Sequence, residues 1–167
     1  MADWKVYSSL DEVLREIDFD GRSLGETKFT KDPEQWPGEE FDQFILWLHQ
    51  ALATEALTKE GDGWRRRVLY LCGELGKNAY RHDVDASVFA YVGKQGVVIG
   101  SKQARGFLDK DQIGLLKSRK PIETDRRCGG KGTDDLVNCC DGICIDESRM
   151  ALYFLMHYNK TRAKGTP

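Results

Sequence analysis

No apolar run in this 167-residue chain approaches the roughly 20 residues that a membrane-spanning helix needs. Basic excess is missing too. Twenty-five Lys and Arg stand against 27 Asp and Glu, a formal net charge of −2, which excludes the strongly positive field of a general nucleic-acid binder. The opening residues, Met1-Ala2-Asp3-Trp4-Lys5, lack the basic-then-apolar layout of a secretory leader. A cytoplasmic protein with neither membrane nor nucleic acid as partner is therefore expected. Cysteine is sparse and odd in number: Cys72, Cys128, Cys139, Cys140 and Cys144. An odd count does not close a disulfide framework, and reduced thiols are expected. The last four do not show the paired C-x₂₋₄-C knuckles of a zinc site, and Cys139, Cys140 and Cys144 read as small core residues. His49 and His157 have no partner suggested by spacing, and no Ser/His/Asp or Cys/His catalytic arrangement stands out. Internal repeats and low-complexity segments are also lacking.

What remains is enough chain for one domain with a hydrophobic core. Residues 4 to 7 form a short apolar stretch. Ser9 with Glu12 three residues later is a capping-box pattern leading into a helix with Leu10, Val13, Leu14 and Ile17 at helical spacing. From Asp18 to Gly38 the chain is polar, with three glycines and two prolines, and reads as loop. A helix over about 39–58 carries the stripe Phe41, Phe44, Ile45, Leu48 and Leu52. A second runs from Asp62 to about Arg81 and buries Trp64, Val68, Leu71, Cys72, Leu75 and Ala79.

The period then shortens to that of strands. Ala86 to Val92 and Val97 to Ile99 flank a turn at Gly93–Gly96, giving a hairpin. A long polar stretch from Ser101 to Gly132 holds one helical turn near Gln112–Leu116. Thr133 can cap a short helix ending at Cys140. Ile143–Ile145 and Met150–His157 make a closing hairpin, and 159–167 is a tail. Helices segregated from adjacent antiparallel strands predict an α+β fold, a two-layer sandwich with the helices on one face of a mixed, mostly antiparallel sheet.

Within the second helix, Glu74, Asn78 and His82 lie four residues apart, which stacks a carboxylate, an amide and an imidazole along one side, about 5–6 Å apart at Cβ. The stripe borders the core-facing side and is expected on a rim. A carboxylate there can serve as general base. An asparagine carbonyl is a hard oxygen ligand suited to Mg²⁺. Spacing alone favours a solvated helix face over such a site.

The segment Glu74-Leu75-Gly76-Lys77-Asn78-Ala79-Tyr80-Arg81-His82 resembles the N-box of the GHKL ATPases, especially the anti-sigma-factor serine kinases and histidine-kinase ATPase domains. The resemblance continues in order through a hairpin, a long segment, a glycine-rich turn into a helix and a final hairpin, over about residues 39–157. It implies a Bergerat-type fold, with ATP and Mg²⁺ as cofactors and a protein partner. It assigns Glu74 as the catalytic base, Asn78 as the Mg²⁺ ligand, and His82 as a further nucleotide-binding residue. Gly129-Gly130-Lys131-Gly132 with Thr133 resembles the second glycine box, where Gly130, Lys131, Gly132 and Thr133 would meet phosphate. The resemblance also implies an ATP lid over Leu115–Lys131, whose Lys117, Arg119, Lys120, Arg126, Arg127 and Lys131 would meet phosphate or an acidic partner. Such a charge run is equally often a solvated loop.

Both glycine boxes depart from the family pattern, the first also in Ala104 where its first glycine belongs. In the first glycine box, aligned on Gly106-Phe107, Lys102 stands where an aspartate receives the adenine amino group, and a cation accepts no hydrogen bond. After the second box, Asp134 and Asp135 place two anions where phosphate would lie. Two functional classes therefore stay open. One is a regulatory ATPase or serine kinase acting on a protein partner. The other is a degenerate relative that keeps the fold as an interaction module or binds another anionic ligand. Residues 1–38 fall outside the resemblance and are expected to cover a sheet edge or to mediate assembly, a homodimer included, while 39–158 form the ATPase-like domain.

Overall fold

A computed structural model describes residues 4–21, 24–28, 39–56, 62–82, 86–103, 107–122 and 133–158. Among them, five helices pack against one six-stranded sheet. The elements run β1 (Lys5–Tyr7), α1 (Leu10–Glu16), β2 (Leu24–Lys28), α2 (Glu39–Ala56), α3 (Asp62–His82), β3 (Ser87–Val92), β4 (Gly96–Lys102), α4 (Lys110–Lys117), α5 (Asp134–Cys139), β5 (Gly142–Asp146) and β6 (Ala151–His157). Across the sheet the order is β1-β5-β6-β4-β3-β2. Among the described strands only the β1–β5 pairing is parallel, so the sheet is mixed and mostly antiparallel, consistent with an α+β sandwich.

Strand alternation divides the core in two. On one face Val88, Ala90, Val97, Ile99, Ile143 and Phe154 meet Phe44, Leu48 and Leu52 of α2 and Val68, Leu71, Cys72 and Leu75 of α3. These are the stripes that the 3.6-residue period marks, with Phe41 and Ile45 partly buried beside them. Leu116 of α4 and Leu136 and Val137 of α5 join the same layer. On the opposite face Tyr7, Phe89, Val98, Cys144, Tyr153 and Leu155 pack under Val13 and Ile17 of α1, so the helices lie on both faces and not on the one expected. Helix α1 starts as expected, with the Ser9 hydroxyl accepting the Glu12 N–H at 3.2 Å.

The first 28 residues do more than flank the domain. They supply both outer strands, β1 beside β5 and β2 beside β3. Strand β2 lies inside the stretch that reads as loop from sequence. Leu24-Gly25-Glu26-Thr27-Lys28 has no apolar alternation, but the open edge of β3 gives its backbone partners from Leu24↔Tyr91 to Lys28↔Ser87. Gly25 is needed there because a Cβ would overlap the ring of Trp47 on α2.

Helix α4 is also longer than the single turn expected. Its Asp109 side chain accepts the Gln112 N–H at 2.8 Å and the Gln112 side chain accepts the Asp109 N–H at 3.0 Å, a reciprocal cap that carries it to Lys117.

Helix α3 has a defined direction over the sheet. Near its start, the Trp64 ring meets that of Tyr158, just past β6, with centroids 5.4 Å apart. Its end, His82, leads after a short connection into Ser87, which pairs with Lys102 at the far end of β4. The half of α3 that carries Glu74 and Asn78 therefore lies toward the Ser87–Lys102 end of the sheet.

Candidate functional site

Glu74 does not behave as part of a solvated face. It is 7% exposed, whereas Lys77 one turn on is largely in solvent. The Lys77 ammonium donates to Glu74 Oε1 at 3.3 Å, and its side chain is 50% exposed. A pair with one mobile, hydrated partner holds the carboxylate weakly. Asn78 is half-buried beside it. His82 is the last residue of α3, and its side chain lies outside the described residues.

Facing this stripe is the start of α5. The Tyr70 hydroxyl, one turn before Glu74, donates to Asp135 Oδ2 at 3.0 Å and joins the two helices. Its phenol is pushed up to about 12, first by that hydrogen bond, then by burial, with the Glu74 charge adding to the effect. Asp134 accepts from the Asn138 amide at 3.2 Å within its own helix. Both acidic residues that follow the glycine box are thus engaged by neutral donors.

Thr133 occupies the cap position of α5, but its hydroxyl does not cap the helix. Instead Thr133 Oγ1 accepts the Ile122 N–H at 2.7 Å, a buried bond that fastens the segment after α4 to α5. Gly106, Gly130, Lys131 and Gly132 lie outside the described residues, as do Arg126 and Arg127.

The basic segment is not uniformly solvated. Arg119 donates from Nε to Val137 O at 2.9 Å and from Nη2 to Cys140 O at 3.4 Å, and its guanidinium lies 5.4 Å from the centre of the Trp4 ring. It satisfies carbonyls at the end of α5 that the helix leaves without partners, a structural role. Lys117 and Lys120 are exposed.

Lys102 is exposed at the end of β4. Alternation turns the next residue, Gln103, toward the helix-covered face, and it is 6% exposed. Sequence reasoning passed over Gln103, Tyr70 and Lys77. For Gln103 the signal was its place one step beyond a strand end, and for Tyr70 its four-residue offset from Glu74.

Among the described residues the thiols take no part in this arrangement. Cys72 and Cys140 are pushed well up by burial, and Cys144, whose thiol is pushed to about 11 mainly by burial, sits on the opposite sheet face from them. Among the described residues, no group of three or more His, Cys, Asp or Glu side chains forms a metal cage, and no helix is long and apolar enough to cross a membrane.

Comparison with protein-family models, with curated proteins and with solved structures gives no match for this chain.

Proposed function

We propose that the chain is a cytoplasmic regulatory domain of GHKL type that binds Mg²⁺–ATP beside α3 and acts on a protein partner. The observation that carries this reading is the burial of Glu74. A carboxylate on a merely solvated helix face keeps its water, because removing it costs several kcal/mol on the order of a lost ion hydration shell. Here the carboxylate is 7% exposed beside a half-buried amide, with a lysine that is free to swing into solvent.

The donor set fits the proposed cofactor. Asn78 offers one neutral hard oxygen, and Mg²⁺ of this kind is typically completed by phosphate oxygens and water. When bound, the metal neutralises charge on the transferring phosphoryl group. Glu74 then acts as base, taking a proton from the attacking water or from the partner's hydroxyl. Lys77, released from Glu74, supplies a cation to the same region. The Tyr70–Asp135 bond holds α5 at a fixed place beside this stripe, so that what binds α3 also meets the α5 side.

A second reading is favoured by one specific observation. Lys77 occupies Glu74 Oε1, so the oxygen that would take up a proton already accepts a hydrogen bond. In that case the fold serves as an interaction module without turnover.

Thermal melting with and without Mg²⁺–ATP tests the first reading, because a ligand that binds only the native state raises the midpoint by mass action. A rise that needs Mg²⁺, and that Asn78→Ala deprives of its Mg²⁺ dependence, is the expected result. An unchanged midpoint at millimolar ATP eliminates nucleotide binding and leaves the module.

A further inference from the structure

We propose that Gln103 reads the base of the bound nucleotide through its carboxamide, and that it accepts adenine and guanine alike. The inference rests on the nucleotide reading above. Gln103 is 6% exposed, and its Nε2 is buried without a hydrogen-bond partner. An orphaned buried amide N–H is costly, and one that a native structure keeps points to a partner outside the chain. The backbone of Gln103 is pinned, since its N–H donates to Met150 O at 3.0 Å and extends the β4–β6 ladder one residue past Lys102.

Its placement favours a base. Gln103 follows Val97, Ile99 and Ser101 on the sheet face that α2 and α3 cover, at the end toward which Asn78 lies. Ser101, 5% exposed, and Thr27, 4% exposed, fall on the same face, both in register with Val88, and the Thr27 hydroxyl also lacks a partner. These three buried side chains are polar but uncharged. They suit the edge of a neutral heterocycle and not a phosphate, whose charge the Lys77 side of α3 would meet.

Lys102 cannot replace an acceptor, whereas a carboxamide offers a donor and an acceptor side by side. Adenine presents N1 as acceptor beside the N6 donor. Guanine presents O6 as acceptor beside the N1–H donor. An amide matches either edge by turning over, so the residue that takes over base contact here also relaxes base choice.

Calorimetric titration of the wild-type protein, Gln103→Met and Gln103→Glu with Mg²⁺–ATP and Mg²⁺–GTP tests this. Wild type is expected to bind both within about threefold of each other. Gln103→Met should weaken both by about tenfold or more, while its ligand-free melting midpoint stays level or rises because the orphaned donor is gone. Gln103→Glu offers acceptors only, which match the guanine N1–H and amino group, and should favour GTP over ATP by about tenfold. Nucleotide affinity unchanged in Gln103→Met, or a GTP to ATP ratio unchanged in Gln103→Glu, overturns the role of Gln103 and leaves nucleotide binding standing. Wild type that binds neither nucleotide overturns the nucleotide reading itself, and the base contact with it.

Discussion

The Tyr70 hydroxyl donates to the Asp135 carboxylate at 3.0 Å, tying the middle of the long helix α3 to the first turn of α5. The phenol stays protonated to about pH 12, because ionising it would remove the donor and set two anions together. The folded value lies above the ordinary tyrosine value. The bond's contribution to stability is thus complete below pH 10 and is lost as pH rises from 10 toward about 12. Burial also raises Tyr7, Tyr91 and Tyr153, so ultraviolet titration should show several late phenols, one of which moves toward the ordinary range in Asp135→Asn; an Asp135→Asn titration identical to wild type would refute the pairing.

Glu74→Gln separates base chemistry from binding. Shape and burial are retained, and a buried charge is removed, so the melting midpoint should hold or rise. If Glu74 takes the proton, phosphate release in a single turnover falls by about 10²–10⁴-fold while Mg²⁺–ATP affinity changes little. Equal turnover in the two proteins would move the base elsewhere.

Gly25→Ala places a methyl group into the Trp47 ring where β2 crosses under α2. The ring has to move aside or the strand has to shift, and overpacking of this kind destabilises by about 1–3 kcal/mol. Urea unfolding should show the lower midpoint, and Trp47→Leu in the same chain should recover part of the loss. A neutral Gly25→Ala would mean that β2 is not seated against α2.

Asp141 supports the end of β6 from the turn before β5. Its Oδ2 accepts the His157 N–H at 2.8 Å, and both residues are buried. Asp141→Ala orphans that N–H and should cost about 1–3 kcal/mol in chemical denaturation at neutral pH. Asp141→Asn keeps an acceptor and should lose less. Equal losses in the two variants would assign the effect to the missing charge beside His157 instead.

The long helices were legible because each pattern has one physical meaning. Phe44, Leu48 and Leu52, or Val68, Leu71, Cys72 and Leu75, bury a single helix side whatever the tertiary context. Strands β3, β4 and β6 were legible for a similar reason, being bounded by turns and rich in branched and aromatic residues. β2 was not, since its stability comes from backbone pairing to β3 and from one close approach at Gly25, neither of which leaves a mark in hydropathy. Helix α4 did carry a signal, Asp109 with Gln112, that a single-turn reading passed over. At the candidate site, spacing put Glu74 and Asn78 on one stripe but gave no means of telling a hydrated carboxylate from a buried one. Arg119 shows the converse: it reads as one more charge in a basic loop, and its two bonds to the end of α5 arise only from the fold.

The position of β1 and β2 at opposite margins of the sheet has a consequence for how the chain reaches its native state. Val6 pairs with Ile143, and Leu24 with Tyr91, so the opening residues close one loop across most of the chain and a second across less than half of it. Such closures add to the mean sequence separation of native contacts, which slows folding. On the ribosome the first 28 residues emerge early yet have no partner until β5 and β3 follow. They would finish the molecule as a belt fastened last, and until then the margins of β5 and β3 stay open to strands from other copies. Refolding in the presence of a synthetic peptide of residues 4–28 should rescue a chain that starts at residue 39, and yield should fall with rising concentration when the peptide is left out.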